Sequence, residues 1–158
     1  MSRTTRLAVV AAASAATVAM TASPALAWTG GAVSASTGPV GGCTNVVLNG
    51  SLSPAGALSV STASFIGCTP PAVPQNLPWS GSLTNGGGTA TLNVRVSTTM
   101  LGMTCVYGGT LTGTNTPGPS PLTIYFPAQV LSKVGGGFLC PASIQTSPAQ
   151  LVLTGPGI

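Results

Sequence analysis

The chain has no aspartate, no glutamate and no histidine among its 158 residues. Most hydrolytic and acid–base mechanisms need a side chain that exchanges a proton near neutral pH. Without carboxylates there is no acid/base pair for glycoside cleavage and no oxygen cage for a hard cation. Without imidazole there is no Ser–His triad. The charged side chains are Arg3, Arg6, Arg95 and Lys133, and the aromatic ones are two tryptophans, two tyrosines and three phenylalanines. Composition therefore predicts a protein that is not an enzyme, with no catalytic residue, no metal site and no cofactor.

What the chain does contain falls into two parts. Arg3 and Arg6 precede the apolar run Leu7 to Met20, and the small-residue sequence Ala25-Leu26-Ala27 follows. That order is the pattern of a secretory signal peptide over residues 1–27, cut after Ala27. The alternative is an uncleaved N-terminal anchor, but the apolar run is short against the about 20 residues of a membrane span. The arginines are separated by Thr4 and Thr5, so the twin-arginine signature is absent. Cleavage would leave Trp28 as first residue and only Arg95 and Lys133 as charges. No basic cluster remains to hold nucleic acid, and no second apolar run is long enough to span a bilayer. The expected location is secreted or extracellular, with association to the cell surface as a variant. Residues 28–42 are expected to be a flexible segment and 43–158 the folded domain.

Four cysteines, Cys43, Cys68, Cys105 and Cys140, lie beyond the leader. An even number in an exported chain predicts two disulfides, with three possible connectivities. Cys43–Cys68 and Cys105–Cys140 are preferred because each pair brackets a compact run of strands. Zinc is disfavoured because there is no C-x₂-C spacing and no histidine.

Alternation of apolar and polar residues predicts strands throughout. Leu58, Val60 and Thr62 share one face. Ala90, Leu92, Val94 and Val96 alternate with Thr91, Asn93, Arg95 and Ser97. Met103, Cys105, Tyr107 and Leu111 fall together. Leu122, Ile124 and Phe126 form an apolar run expected in the core, and Leu151 and Leu153 mark a last strand. Turn chemistry separates these runs at Pro54-Ala-Gly56, Asn85-Gly-Gly-Gly88 and Gly135-Gly-Gly137. Two proline-rich connections cover 69–78 and 115–121. About eight short strands with frequent turns predict an all-β domain: a single antiparallel β-sandwich, Ig-like, or a small barrel, stapled by two disulfides.

Three aromatic residues are candidates for binding. Trp79 is expected in the core, with an exposed anchor for a sugar or partner as the alternative. Tyr107 is expected to be structural. Tyr125 sits in the apolar run and is expected in the core, with an edge for self-association as the alternative. Trp28 is expected to be loose. Lys133, with no acidic partner, should be exposed. Asn49-Gly50-Ser51 matches a glycosylation sequon and equally suits a turn.

The pattern of Cys43 and Cys68, Leu77-Pro78-Trp79, Thr104-Cys-Val-Tyr107-Gly-Gly and Leu139-Cys-Pro141 resembles small exported actinobacterial two-disulfide β-proteins of unknown function. Some of these are distantly similar to the secreted activators of alkane oxidation, which implies a connection to hydrocarbon growth or to surface material. The resemblance implies no catalytic residue. The chain also shares two disulfides on a β-rich frame with the subtilisin-inhibitor and chromoprotein-apoprotein families. It departs from the first in lacking an acidic reactive-site segment. It departs from the second in cysteine spacing and in lacking an acidic surface.

Three roles follow as expectations. The first is a non-enzymatic secreted or cell-surface protein with a structural, adhesive or interaction role, its partners being copies of itself or cell-envelope components. The second is an extracellular carrier of an apolar small molecule. The third is a secreted protease inhibitor presenting the loop Asn115 to Pro121.

Overall fold

The computed structural model describes residues 27–158; the expected leader, apart from Ala27, lies outside them. The described residues form eleven strands and no helix. In chain order they are β1 (Gly31–Ser36), β2 (Asn45–Leu52), β3 (Ala57–Ile66), β4 (Ala72–Pro74), β5 (Trp79–Ser82) and β6 (Gly88–Met100). There follow β7 (Met103–Asn115), β8 (Leu122–Phe126), β9 (Val130–Gly135), β10 (Ser143–Gln145) and β11 (Ala149–Thr154).

Every strand pairing is antiparallel. The order β7-β8-β11-β1-β2-β3-β5-β6 closes on itself through the β6–β7 pairing. The all-β class and both disulfides stand as expected. The architecture is a closed eight-stranded barrel with extra strands rather than two packed sheets. Closure removes sheet edges, which a sandwich leaves open.

Alternation builds the interior. Val33 and Ala35, Val46, Leu48 and Leu52, and Leu122, Ile124 and Phe126 are buried, while their neighbours along each strand face outward. Those outward residues are mainly Ser, Thr and Asn. This is the reverse of a lipid-facing barrel, whose apolar band points out. β8 and β11 are each covered on one side only: Tyr125 is 47% exposed and Val152 40%.

One strand breaks the expected alternation. Leu58 and Val60 point inward, but so do Ala63 and Phe65, while Thr62 is exposed. A register shift falls between Asn49 and Gly50 of β2, which pair with Thr62 and Val60. Ser61 is the extra residue, and its hydroxyl donates to the Asn49 carbonyl at 3.1 Å. The bulge turns the strand by one residue, so every side chain after it changes face. Gly50 serves this bend, since a Cβ there would overlap the Ser59 carbonyl. The sequon at Asn49 thus lies in a bulged strand rather than a turn.

Residues 31–36, within the expected flexible lead-in, form strand β1. β1 occupies the centre of the wall between β11 and β2. Trp28 is 3% exposed, packed beside Gly56 and Gly118. Burying an aromatic ring of that size at this end of the barrel takes a large apolar surface out of water.

The β6–β7 hairpin is longer than the barrel is tall. Its thirteen paired positions run from Gly88–Asn115 to Met100–Met103. The first part closes the barrel with β5 and β8. The second part projects beyond it, flanked by β4 on one side and by β9 and β10 on the other. Cys105–Cys140 ties this extension to the loop after β9, and Cys43–Cys68 joins the start of β2 to the end of β3.

Candidate functional site

The two ends of the barrel differ. At one end β1, β3, β6 and β8 begin, and β2, β5, β7 and β11 finish. Trp28, Leu52, Leu83, Ala90, Leu122 and Leu153 fill it. Asn115, 5% exposed, completes the closure. Its amide accepts from the Thr84 N–H at 3.0 Å and donates to the Thr84 and Thr116 carbonyls at 2.9 and 3.0 Å. Such a fully bonded amide is what a buried polar group requires. The proline-rich segment after it is tied at its base. The Thr116 N–H donates to the Thr123 carbonyl at 2.9 Å and the Thr123 N–H to the Thr116 hydroxyl at 3.0 Å.

The opposite end is hollow. A cavity of about 320 Å³ lies there. This is at the lower end of the roughly 300–1,000 Å³ typical of small-molecule sites. Leu48, Leu92, Phe126 and Leu151 form its floor, beneath which a further void of about 20 Å³ reaches the centre of the barrel. The walls come from Val46, Phe65, Trp79, Val94, Leu111 and Leu131. Phe65 and Trp79 sit together, ring centres 6.4 Å apart and tilted by 56°. The Trp79 indole N–H donates to the Gln75 carbonyl at 2.7 Å, so the ring offers the cavity only apolar surface.

The rim is built by two connections. The β1–β2 connection brings Thr37, Val40, Gly41 and Cys43; the β10–β11 connection brings Thr146 and Ser147, next to Gln145 at the end of β10. Gly41 comes against Ser147. Cys43–Cys68 fixes the first of these connections to the end of β3. The Thr37 hydroxyl is committed, donating to the Gly38 carbonyl and accepting from the Val46 N–H. The Thr146 hydroxyl likewise bonds the Gln129 backbone at 3.0 and 3.2 Å. Gln145 and Ser147 are exposed, and neither side chain has a hydrogen-bond partner among the described residues.

The candidate residues separate. Trp79 is buried, as expected for the core, and also lines the cavity. Tyr107 is fully buried in the hairpin, its hydroxyl 3.9 Å from the Met100 sulfur; it is outside the cavity lining. Tyr125, expected in the core, instead lies on the outer surface of the barrel, because β8 buries only the face that carries Leu122, Ile124 and Phe126. All four cysteine sulfurs are consumed in Cys43–Cys68 and Cys105–Cys140, so no thiolate is left for zinc. Lys133 is only half-buried and donates to the Cys140 carbonyl at 3.3 Å, which meets its need for a partner in the absence of any carboxylate. Neither Lys133 nor Arg95 lines the cavity.

This chain matches no protein-family model, no curated protein and no solved structure. What the site can do rests on its own chemistry. It is a concave apolar surface with no charged group, two uncommitted neutral polar side chains at the rim and a closed base. Such a surface can take an apolar molecule out of water, at about 25 cal/mol per Å² of area buried.

The sequence did not single out Phe65, Gln145 or Ser147. Alternation marked Leu111 as one face of a strand. Nothing in a single strand shows that facing side chains leave a gap between them.

Proposed function

We propose that this protein is a non-enzymatic carrier, secreted into an oxidising compartment, that shelters an apolar small molecule in the open end of its barrel. The cavity of about 320 Å³ carries the reading. A void of that size lined by aliphatic and aromatic groups costs stability unless something fills it, because its lining loses contacts. The two disulfides are in keeping with an extracellular or otherwise oxidising environment, and among the described residues no helix is long and apolar enough to cross a membrane. The absence of Asp, Glu and His from the whole chain supports binding over turnover.

Titration with N-phenylnaphthylamine, an uncharged dye that brightens in apolar surroundings, tests this. Saturable binding at one site per chain is expected, with a higher melting temperature at saturation. Ala149 points into the cavity from the start of β11. Ala149→Phe fills the space and should abolish dye binding while the fold persists. No saturable binding by the parent protein would sink the carrier reading.

A second reading, self-association or an adhesive role at the cell surface, has its own observation. Leu101 at the tip of the β6–β7 hairpin is 80% exposed and Phe138, in the loop stapled beside it, is 89% exposed. With so few charges, nothing repels neighbouring copies. Concentration-dependent oligomers that dissolve in a Leu101→Ser, Phe138→Ser variant would support it; a monomer at all concentrations would remove it.

A further inference from the structure

A carrier of this kind holds something apolar, and the rim bears on how that molecule ends. We infer that the ligand is an uncharged amphiphile. Its apolar body fills the barrel, and a hydroxyl, ester or other neutral carbonyl end meets Gln145 and Ser147 at the rim. The inference rests on the carrier reading.

Three observations carry it. First, the lining contains no ionisable side chain, and the two cations of the described residues are placed elsewhere. Arg95 projects from the opposite face of β6 to Val94 and Val96, and Lys133 is bonded to the Cys140 carbonyl. Second, the polar groups deeper in the rim are spent. The Thr37 and Thr146 hydroxyls and the Trp79 N–H all bond backbone. Third, Gln145 and Ser147 stand at the mouth uncommitted. A primary amide and a hydroxyl can each donate and accept. That pair suits an end group that itself donates and accepts, or only accepts, without charge.

A carboxylate end would lose water on entering and find no cation. A charge removed from water without a partner is costly, whereas a neutral hydroxyl loses little if it is hydrogen-bonded. The site therefore selects by omission: fatty alcohols, esters and neutral terpenoids enter, while fatty acids and amines of equal length do not. Within the cavity no protein group titrates, so any pH dependence of binding must belong to the ligand.

Displacement of bound N-phenylnaphthylamine tests this with a medium-chain primary alcohol and the carboxylic acid of the same length. At pH 8 the alcohol should displace the dye at least about tenfold more effectively than the acid. The alcohol's potency should be unchanged at pH 4, while the acid, now largely protonated, should approach it. Equal displacement by both at pH 8 would overturn the neutral-ligand inference and leave the carrier reading standing. Failure of the dye itself to bind would overturn both. The rim residues are checked separately with Gln145→Ala, Ser147→Ala, an exposed pair whose loss should leave the fold intact. Alcohol affinity should fall several-fold, and by more than affinity for the dye does. Unchanged alcohol affinity would remove the assigned role of the two side chains. Conversely, Gln145→Lys places a cation at the mouth and should raise the acid's potency at pH 8 toward the alcohol's.

Discussion

Trp28 does the work of a stopper. Its ring is buried against Gly56 and near Gly118, and its indole N–H has no hydrogen-bond partner among the described residues. The energetic value of the residue thus lies in the ring rather than in the polar atom. Trp28→Ala should cost about 3–5 kcal/mol, the range for large aromatic truncations in cores. Trp28→Phe keeps most of the ring and removes an unpaired donor, so it should cost far less. Urea denaturation of the two variants decides this: a Trp28→Ala loss below about 1 kcal/mol would show the end of the barrel to be loose. The sequence could not place this residue. Standing alone ahead of the first strand, Trp28 has no alternating neighbours, and its burial depends on Gly56 and Gly118, both distant in the chain. Trp79 was easier, since a large aromatic bounded by proline and a strand has few places other than the core.

At the scale of strands, alternation placed most of the walls. Ala90, Leu92 and Val94, and Leu122, Ile124 and Phe126, were legible because a period of two admits one burial pattern. The cysteine pairing was legible for a related reason, each pair spanning neighbouring strands. Alternation failed at the bulge in β3, because Ser61 carries no mark distinguishing an inserted residue from an ordinary one. It also failed to decide between sandwich and barrel, because closure rests on a single pairing between β6 and β7 and on how far each strand bends. Glycines supply that bend. Gly113 in β7 lies so close to the Tyr125 carbonyl and the Phe126 ring that a Cβ would overlap both. β7 passes from β9 to β8 along this stretch. Gly113→Ala should destabilise the barrel by about 2 kcal/mol or more, as overpacking does in a dense interior. A melting temperature within about 1 °C of the parent's would show that β7 and β8 can separate at no cost.

For the whole molecule, composition governs the response to pH. Stability changes with pH only where folded and unfolded chains bind different numbers of protons. No Asp, Glu or His is present to do so, and every cysteine among the described residues is in a disulfide. The urea midpoint should therefore be nearly constant from about pH 5 to 8, apart from a small contribution of the chain termini. A pronounced slope across that interval would contradict this, since it requires a side chain that changes protonation on folding. The shape of the molecule, plugged at one end and hollow at the other, was not legible in the chain. It arises from the volumes of residues on eight strands taken together, and no local pattern reports a sum of volumes.

Methyl NMR with a saturating uncharged apolar ligand, for which a medium-chain alcohol serves, tests the central claim most directly. The Leu111, Leu131 and Ile144 methyl signals, around the hollow end, should shift strongly. Those of Leu52, Leu83 and Leu122, at the plugged end, should hold their positions. Shifts confined to Leu101 at the hairpin tip and Leu139 in the loop stapled beside it, or no shifts at all, would contradict a ligand held inside the barrel.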